Sequence, residues 1–80
     1  SDFQMEEACS GLIQYPENNA WIKSSSQQIT ITGDLDANWY LNGVKLRAQM
    51  KQVQITEPGI NTITAVRGDC RETNEFFVDF

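Results

Sequence analysis

Ala37-Asn38-Trp39-Tyr40-Leu41-Asn42-Gly43-Val44-Lys45-Leu46 is a β-hairpin written out in residues. Asn-Gly between apolar residues is the strongest short-range hairpin signal, because both turn positions then tolerate φ > 0. In an extended strand successive side chains point to opposite faces, so Trp39 and Leu41 share one face and Tyr40 takes the other. A large aromatic in such an alternating strand packs inward, which makes Trp39 a core residue.

The chain on either side of this hairpin continues in short alternating runs closed by turn residues. Upstream, Gln28-Ile29-Thr30-Ile31-Thr32 alternates and ends at Gly33-Asp34. Before it, Leu12-Ile13-Gln14-Tyr15 is stopped by Pro16, and Trp21-Ile22-Lys23 is a second short strand. Downstream, Gln52-Val53-Gln54-Ile55-Thr56 ends at Glu57-Pro58-Gly59, and Asn61 to Val66 ends at Arg67-Gly68-Asp69. A last strand runs from Glu72 to Phe80. The first ten residues suffice for one helical turn, but no amphipathic stripe of helical period follows anywhere. Six to seven strands with turns every 8–12 residues predict an all-β fold, a small immunoglobulin-like antiparallel β-sandwich in which Trp39 occupies the buried-Trp position. Ile13, Ile29, Ile31, Trp39, Leu41, Val53, Ile55, Ile63, Ala65, Phe76, Val78 and Phe80 are expected to point inward. Thr30, Thr32, Gln52, Gln54, Thr62 and Thr64 are expected to point out.

The chain has 80 residues, 40% of them hydrophobic, with 6 basic and 11 acidic residues, a net charge of −5 and no His. That length holds one domain, expected at 12–80 behind an N-terminal extension, 1–11. The acidic balance disfavours nucleic acid and anionic membrane surfaces, both of which are gripped by clustered Lys and Arg. Without His the chain lacks the commonest general base and the commonest metal ligand. No enzyme activity, cofactor or metal is therefore expected. No apolar run approaches the roughly 18 residues a membrane span needs. Ser1 to Glu7 carries acids where a signal peptide has its positive region, so the chain reads as a mature product, a recombinant fragment or one domain of something larger, the fragment being the favoured expectation.

Tyr15-Pro16-Glu17-Asn18, Trp39-Tyr40-Leu41-Asn42-Gly43, and Pro58-Gly59 followed by alternating Ile63 and Ala65 resemble the C-terminal domain of bifunctional penicillin-binding proteins. These are glycosyltransferase–transpeptidases that build bacterial peptidoglycan. The resemblance covers roughly residues 12–80. Arg67-Gly68-Asp69-Cys70 departs from it, since the family has an Asp followed by a turn Gly there. The resemblance implies a non-catalytic accessory or interaction module of an exported cell-envelope protein, periplasmic or extracellular, meeting a protein partner linked to peptidoglycan synthesis. No catalytic residue transfers, because the family's chemistry lies in other domains. The alternatives are a carbohydrate- or peptidoglycan-binding module and a structural spacer.

Cys9 and Cys70 are the only cysteines. An even count in a small exported domain favours a disulfide. In a sandwich the start of the first strand and the loop before the last strand lie at one end, which suits a Cys9–Cys70 bridge. The alternative is two free thiols in a cytosolic chain.

Asp34-Leu35-Asp36-Ala37-Asn38 opens like a calcium loop, but Trp39 and Lys45 stand where Gly and Glu are needed. Arg67-Gly68-Asp69 is the tripeptide of integrin ligands, though three residues are a weak motif and Gly-Asp is ordinary turn chemistry. The paired acids and Ser24-Ser25-Ser26 lack the cleft or base that catalysis requires. What remains is a surface. Alternation turns Tyr40, Thr64, Val66 and Phe77 outward, and Trp21 lies on a short strand that joins them or caps the core. Tyr40, Val66, Phe77 and Trp21 are the expected partner-binding residues.

Overall fold

The computed structural model describes residues 11–47 and 52–80, and these are all-β. Nine strands follow in chain order: β1 (Ile13–Tyr15), β2 (Ala20–Lys23), β3 (Gln28–Thr30), β4 (Thr32–Gly33), β5 (Asn38–Leu41), β6 (Val44–Lys45), β7 (Gln52–Gln54), β8 (Gly59–Arg67) and β9 (Cys70–Asp79). They form a five-stranded sheet, β2-β9-β8-β5-β6, and two two-stranded sheets, β1-β4 and β3-β7.

The Asn-Gly hairpin forms as its residues dictate. Tyr40 pairs with Lys45 and Leu41 with Val44. Asn42 and Gly43 have φ of 51° and 84°, the two left-handed positions of a type I′ turn. β8 and β9 make the longest ladder, from Gly59 opposite Val78 to Arg67 opposite Cys70. Gly68, with φ 60°, turns the chain between them.

Three strand expectations need correction. The run Gln28–Thr32 is split. β3 pairs with β7 and β4 pairs with β1, so the chain changes partner at Ile31 while Ile29 and Ile31 both stay buried. The five-stranded sheet is mixed instead of antiparallel, because β2 runs parallel to β9, with Ala20 opposite Phe76 and Lys23 opposite Asp79. After Pro16 the chain turns at Asn18-Asn19 and docks on β9 directly: the Asn19 N–H reaches the Glu75 carbonyl, and the Glu75 N–H reaches Asn18 Oδ1 at 2.8 Å. Phe80, finally, is exposed, since it lies beyond the end of β9 where the ladder no longer fixes its direction.

One core draws on all three sheets. Ile13, Ile29, Ile31, Val53, Ile55, Ile63, Ala65, Phe76 and Val78 are buried in it, as alternation predicts, together with Leu12 and Ala37. Trp39 and Leu41 pack against it half-buried. Trp39 lies at the rim because its indole N–H donates to the Asp34 carbonyl at 3.0 Å. Beneath it sits Gly33, so close that a Cβ there would lie 2.2 Å from the Leu12 carbonyl oxygen and 2.6 Å from an indole carbon.

Among the described residues two polar side chains are buried, and both are matched. The Asn61 amide donates to the carbonyls of Glu57 and Gly59 and accepts from Asn42 at 2.8 Å. Asn74 donates to the Pro16 carbonyl at 3.1 Å. Such pairing is required, because an unmatched buried polar group costs about 1–3 kcal/mol. The start of β1 is tied to β9 in the same manner. Glu72 accepts the N–H groups of Leu12 and Ile13 at 2.7 and 3.1 Å.

Candidate interaction surface

The face of the five-stranded sheet turned away from the core carries every partner-binding residue expected from sequence. Tyr40, Val66, Phe77 and Trp21 all lie on it, but cross-strand register separates them into two groups.

At one end, Trp21 on β2 stands opposite Phe77 on β9, which stands opposite Ile60 on β8. Trp21 is 74% exposed, Ile60 70% and Phe77 40%. The rings of Trp21 and Phe77 meet edge to face, with centroids 5.3 Å apart and planes at 63°. At the other end, Tyr40 stands opposite Thr64, and Val66 is two residues further along β8. Both Tyr40 and Val66 are half-buried. Val66 is six residues from Ile60, which at about 3.3 Å per residue is roughly 20 Å. Between the two rows Thr62 stands opposite Glu75, and Tyr40's own row continues through Thr64 and Thr73, whose hydroxyls are 3.0 Å apart. The expected single patch of Tyr40, Val66 and Phe77 is thus two patches. The more exposed one is Trp21–Phe77–Ile60.

Ile60 is the residue the sequence reading missed. Its signal is present: counting back from buried Ile63 and Ala65 by the strand period puts Ile60, Thr62, Thr64 and Val66 on the opposite face. Pro58-Gly59 reads as a turn and hides that the strand already begins at Gly59.

Shallow hollows flank Ile60 on both sides. One lies against Glu75 and Phe77, the other against Asn42 and Glu57. The carboxylates of Glu57 and Glu75 take part in no ion pair or side-chain hydrogen bond among the described residues. Lys23, two residues from Trp21, has Asp79 opposite it in the ladder.

The other sites weighed from sequence resolve into local structure. The Asp34 carboxylate accepts the Asp36 N–H at 2.8 Å and the Arg67 guanidinium at 2.7 Å. The Asp36 N–H first, and Arg67 after it, hold the Asp34 carboxyl below its ordinary value. The loop that opens like a calcium site therefore spends its leading carboxylate on an arginine. No group of three metal-ligating side chains occurs among the described residues. Arg67 of the Arg-Gly-Asp tripeptide is the same arginine, and its guanidinium also lies 3.8 Å from Asp36. Cys70 opens β9 and packs half-buried against the core. No cysteine among the described residues is free. Cys9 lies outside the described residues, and with it the expected Cys9–Cys70 pairing. The described residues contain no helix long and apolar enough to cross a membrane.

No family model, no curated protein and no solved structure matches the chain.

Proposed function

We propose that residues 12–80 form an immunoglobulin-like β-sandwich that serves as a non-catalytic protein-interaction module of an exported bacterial cell-envelope protein, linked to peptidoglycan synthesis. Strand order supports the fold reading. β9-β8-β5-β6 follows the G-F-C-C′ order of such domains, and the pairs β1-β4 and β3-β7 follow A-B and B-E if β3 and β4 are the two halves of strand B. The motifs shared with penicillin-binding protein C-terminal domains support the setting.

The observation that carries the function is the exposed row Trp21–Phe77–Ile60. Typical side-chain areas put its exposed surface at about 400 Å². That is the size of the largest apolar patch on an ordinary monomer, which is often functional. The row is also better suited to a protein than to a glycan. Sugar rings stack on a flat aromatic platform, whereas Trp21 and Phe77 are tilted 63° apart and Ile60 is aliphatic.

Co-sedimentation with insoluble peptidoglycan tests this. The expected result is that the chain stays in the supernatant. Retention that disappears in Trp21→Ala would replace the protein-docking reading with the glycan reading. Export carries a second expected outcome, a Cys9–Cys70 disulfide, which oxidising compartments favour in small domains. Intact mass should rise by two hydrogens on reduction, with no thiol alkylated beforehand. Two alkylatable thiols in the native chain would exclude the bridge.

A further inference from the structure

Resting on that docking reading, we infer that the partner is a protein segment that presents an apolar anchor flanked by Lys or Arg. The anchor seats against Trp21, Phe77 and Ile60, and the basic groups reach Glu75 and Glu57. Geometry and charge both select this occupant. The row spans three strands, about 10 Å at the usual strand spacing, which is the footprint of one or two side chains of a short segment. The hollows on either side of Ile60 each hold one uncommitted carboxylate, Glu75 in one and Glu57 in the other. The basic residue nearest the row, Lys23, has Asp79 opposite it in the ladder. A second copy of this chain is the poorer occupant, because it would bring a second net charge of −5 and its own Glu57 and Glu75 to the same face.

The row alone is well below the roughly 800 Å² per partner of a stable interface. Weak, salt-dependent binding in the micromolar range is therefore expected for a short peptide. The probe is a displayed library of random 12-residue peptides, selected on the 80-residue chain and counter-selected on Trp21→Ala/Ile60→Ser. Both changed positions are exposed, so this variant should fold as the parent does. The expected consensus is an aromatic or large aliphatic residue with Lys or Arg within four positions. Binding of the selected peptides should fall at least about tenfold in Trp21→Ala, as for a hot-spot aromatic. It should fall about threefold in Glu57→Gln/Glu75→Gln, with a flatter salt dependence. Peptides that need Trp21 but carry no basic residue and ignore the carboxylate changes would overturn this partner class and leave the docking face standing. Peptides indifferent to Trp21→Ala, or no enrichment over the counter-selected variant, would overturn both. Concentration-dependent dimers that vanish in Trp21→Ala would replace the basic partner with a second copy.

Discussion

Replacing Phe76 by alanine is expected to lower the unfolding free energy by about 3–5 kcal/mol, the range for deleting a buried aromatic. Its neighbour Phe77, changed in the same way, should cost only about 2 kcal/mol, about 1 for the edge-to-face aromatic pair and about 1 for its partly buried area. The two residues differ in one respect, the face of β9 they occupy. Phe76 is 2% exposed, between Ala20 on β2 and Asn61 on β8, while Phe77 is 40% exposed against Trp21. At roughly 0.05–0.15 kcal/mol per residue, an 80-residue domain holds only about 4–12 kcal/mol in total. Phe76→Ala should therefore be unfolded or nearly so at 37 °C, and Phe77→Ala should remain folded. Urea unfolding of both variants gives the answer. The reverse order of stabilities would mean that β9 is shifted by one residue and that the docking row does not exist.

Gly33→Ala is the second large effect, about 3 kcal/mol or more, although it adds a single methyl group. Its cause is steric rather than conformational. Gly43, at φ 84° with nothing near its missing Cβ, should lose about 1 kcal/mol on the same change through backbone strain alone. At Gly33 the new carbon would lie 2.2 Å from the Leu12 carbonyl and 2.6 and 2.9 Å from two carbons of the Trp39 indole. Neither neighbour can retreat freely. The Leu12 carbonyl accepts the Asp34 N–H at 2.9 Å, and the Leu12 N–H is held by Glu72. The indole is anchored to the Asp34 carbonyl. Overpacking costs about 1–3 kcal/mol, occasionally more, and each hydrogen bond broken to relieve it adds about 1 kcal/mol. For a domain this small, 3 kcal/mol corresponds to a fall in Tm of roughly 12–24 °C. A melting curve within about 4 °C of the parent would show that the β1-β4 corner has more room than its geometry gives it.

Most of the strand positions and faces could be read from sequence because they follow from local chemistry. Asn42-Gly43 specifies its own turn, and once Trp39 faces inward the period of two fixes Tyr40. The same rule separates Phe76 from Phe77 and places Ile29, Val53 and Ile63 in the core. Partnership between strands is different, because alternation says which way a side chain points and nothing about what lies beside it. Ile29 and Ile31 alternate without a break, so the change of ladder at Ile31 leaves no trace in the residues. Trp21-Ile22-Lys23 carries no mark that it will lie parallel to β9. For that reason the outwardness of Tyr40, Val66 and Phe77 was legible and their separation was not. Tyr40 belongs with Thr64 and Phe77 with Ile60 only through a register set by the long β8-β9 ladder. Phe80 fails for a related reason: a period read past the end of a strand has no ladder to enforce it.

The position of β9 has a consequence for how the chain comes to be folded. It is the last of the nine described strands to be synthesised, yet it lies inside the five-stranded sheet, between β2 and β8. It also supplies two of the most deeply buried side chains, Phe76 and Val78. A ribosome-bound chain ending before residue 70 has no bridge between β2 and β8, and its core is open on one side. Ala20 must wait for Phe76, 56 residues later, so the closing contact carries a large sequence separation of the kind that slows folding. The nascent chain therefore completes its fold only after β9 has left the exit tunnel. Until then Ile63 and Ala65 are accessible to whatever holdase or neighbouring chain is present.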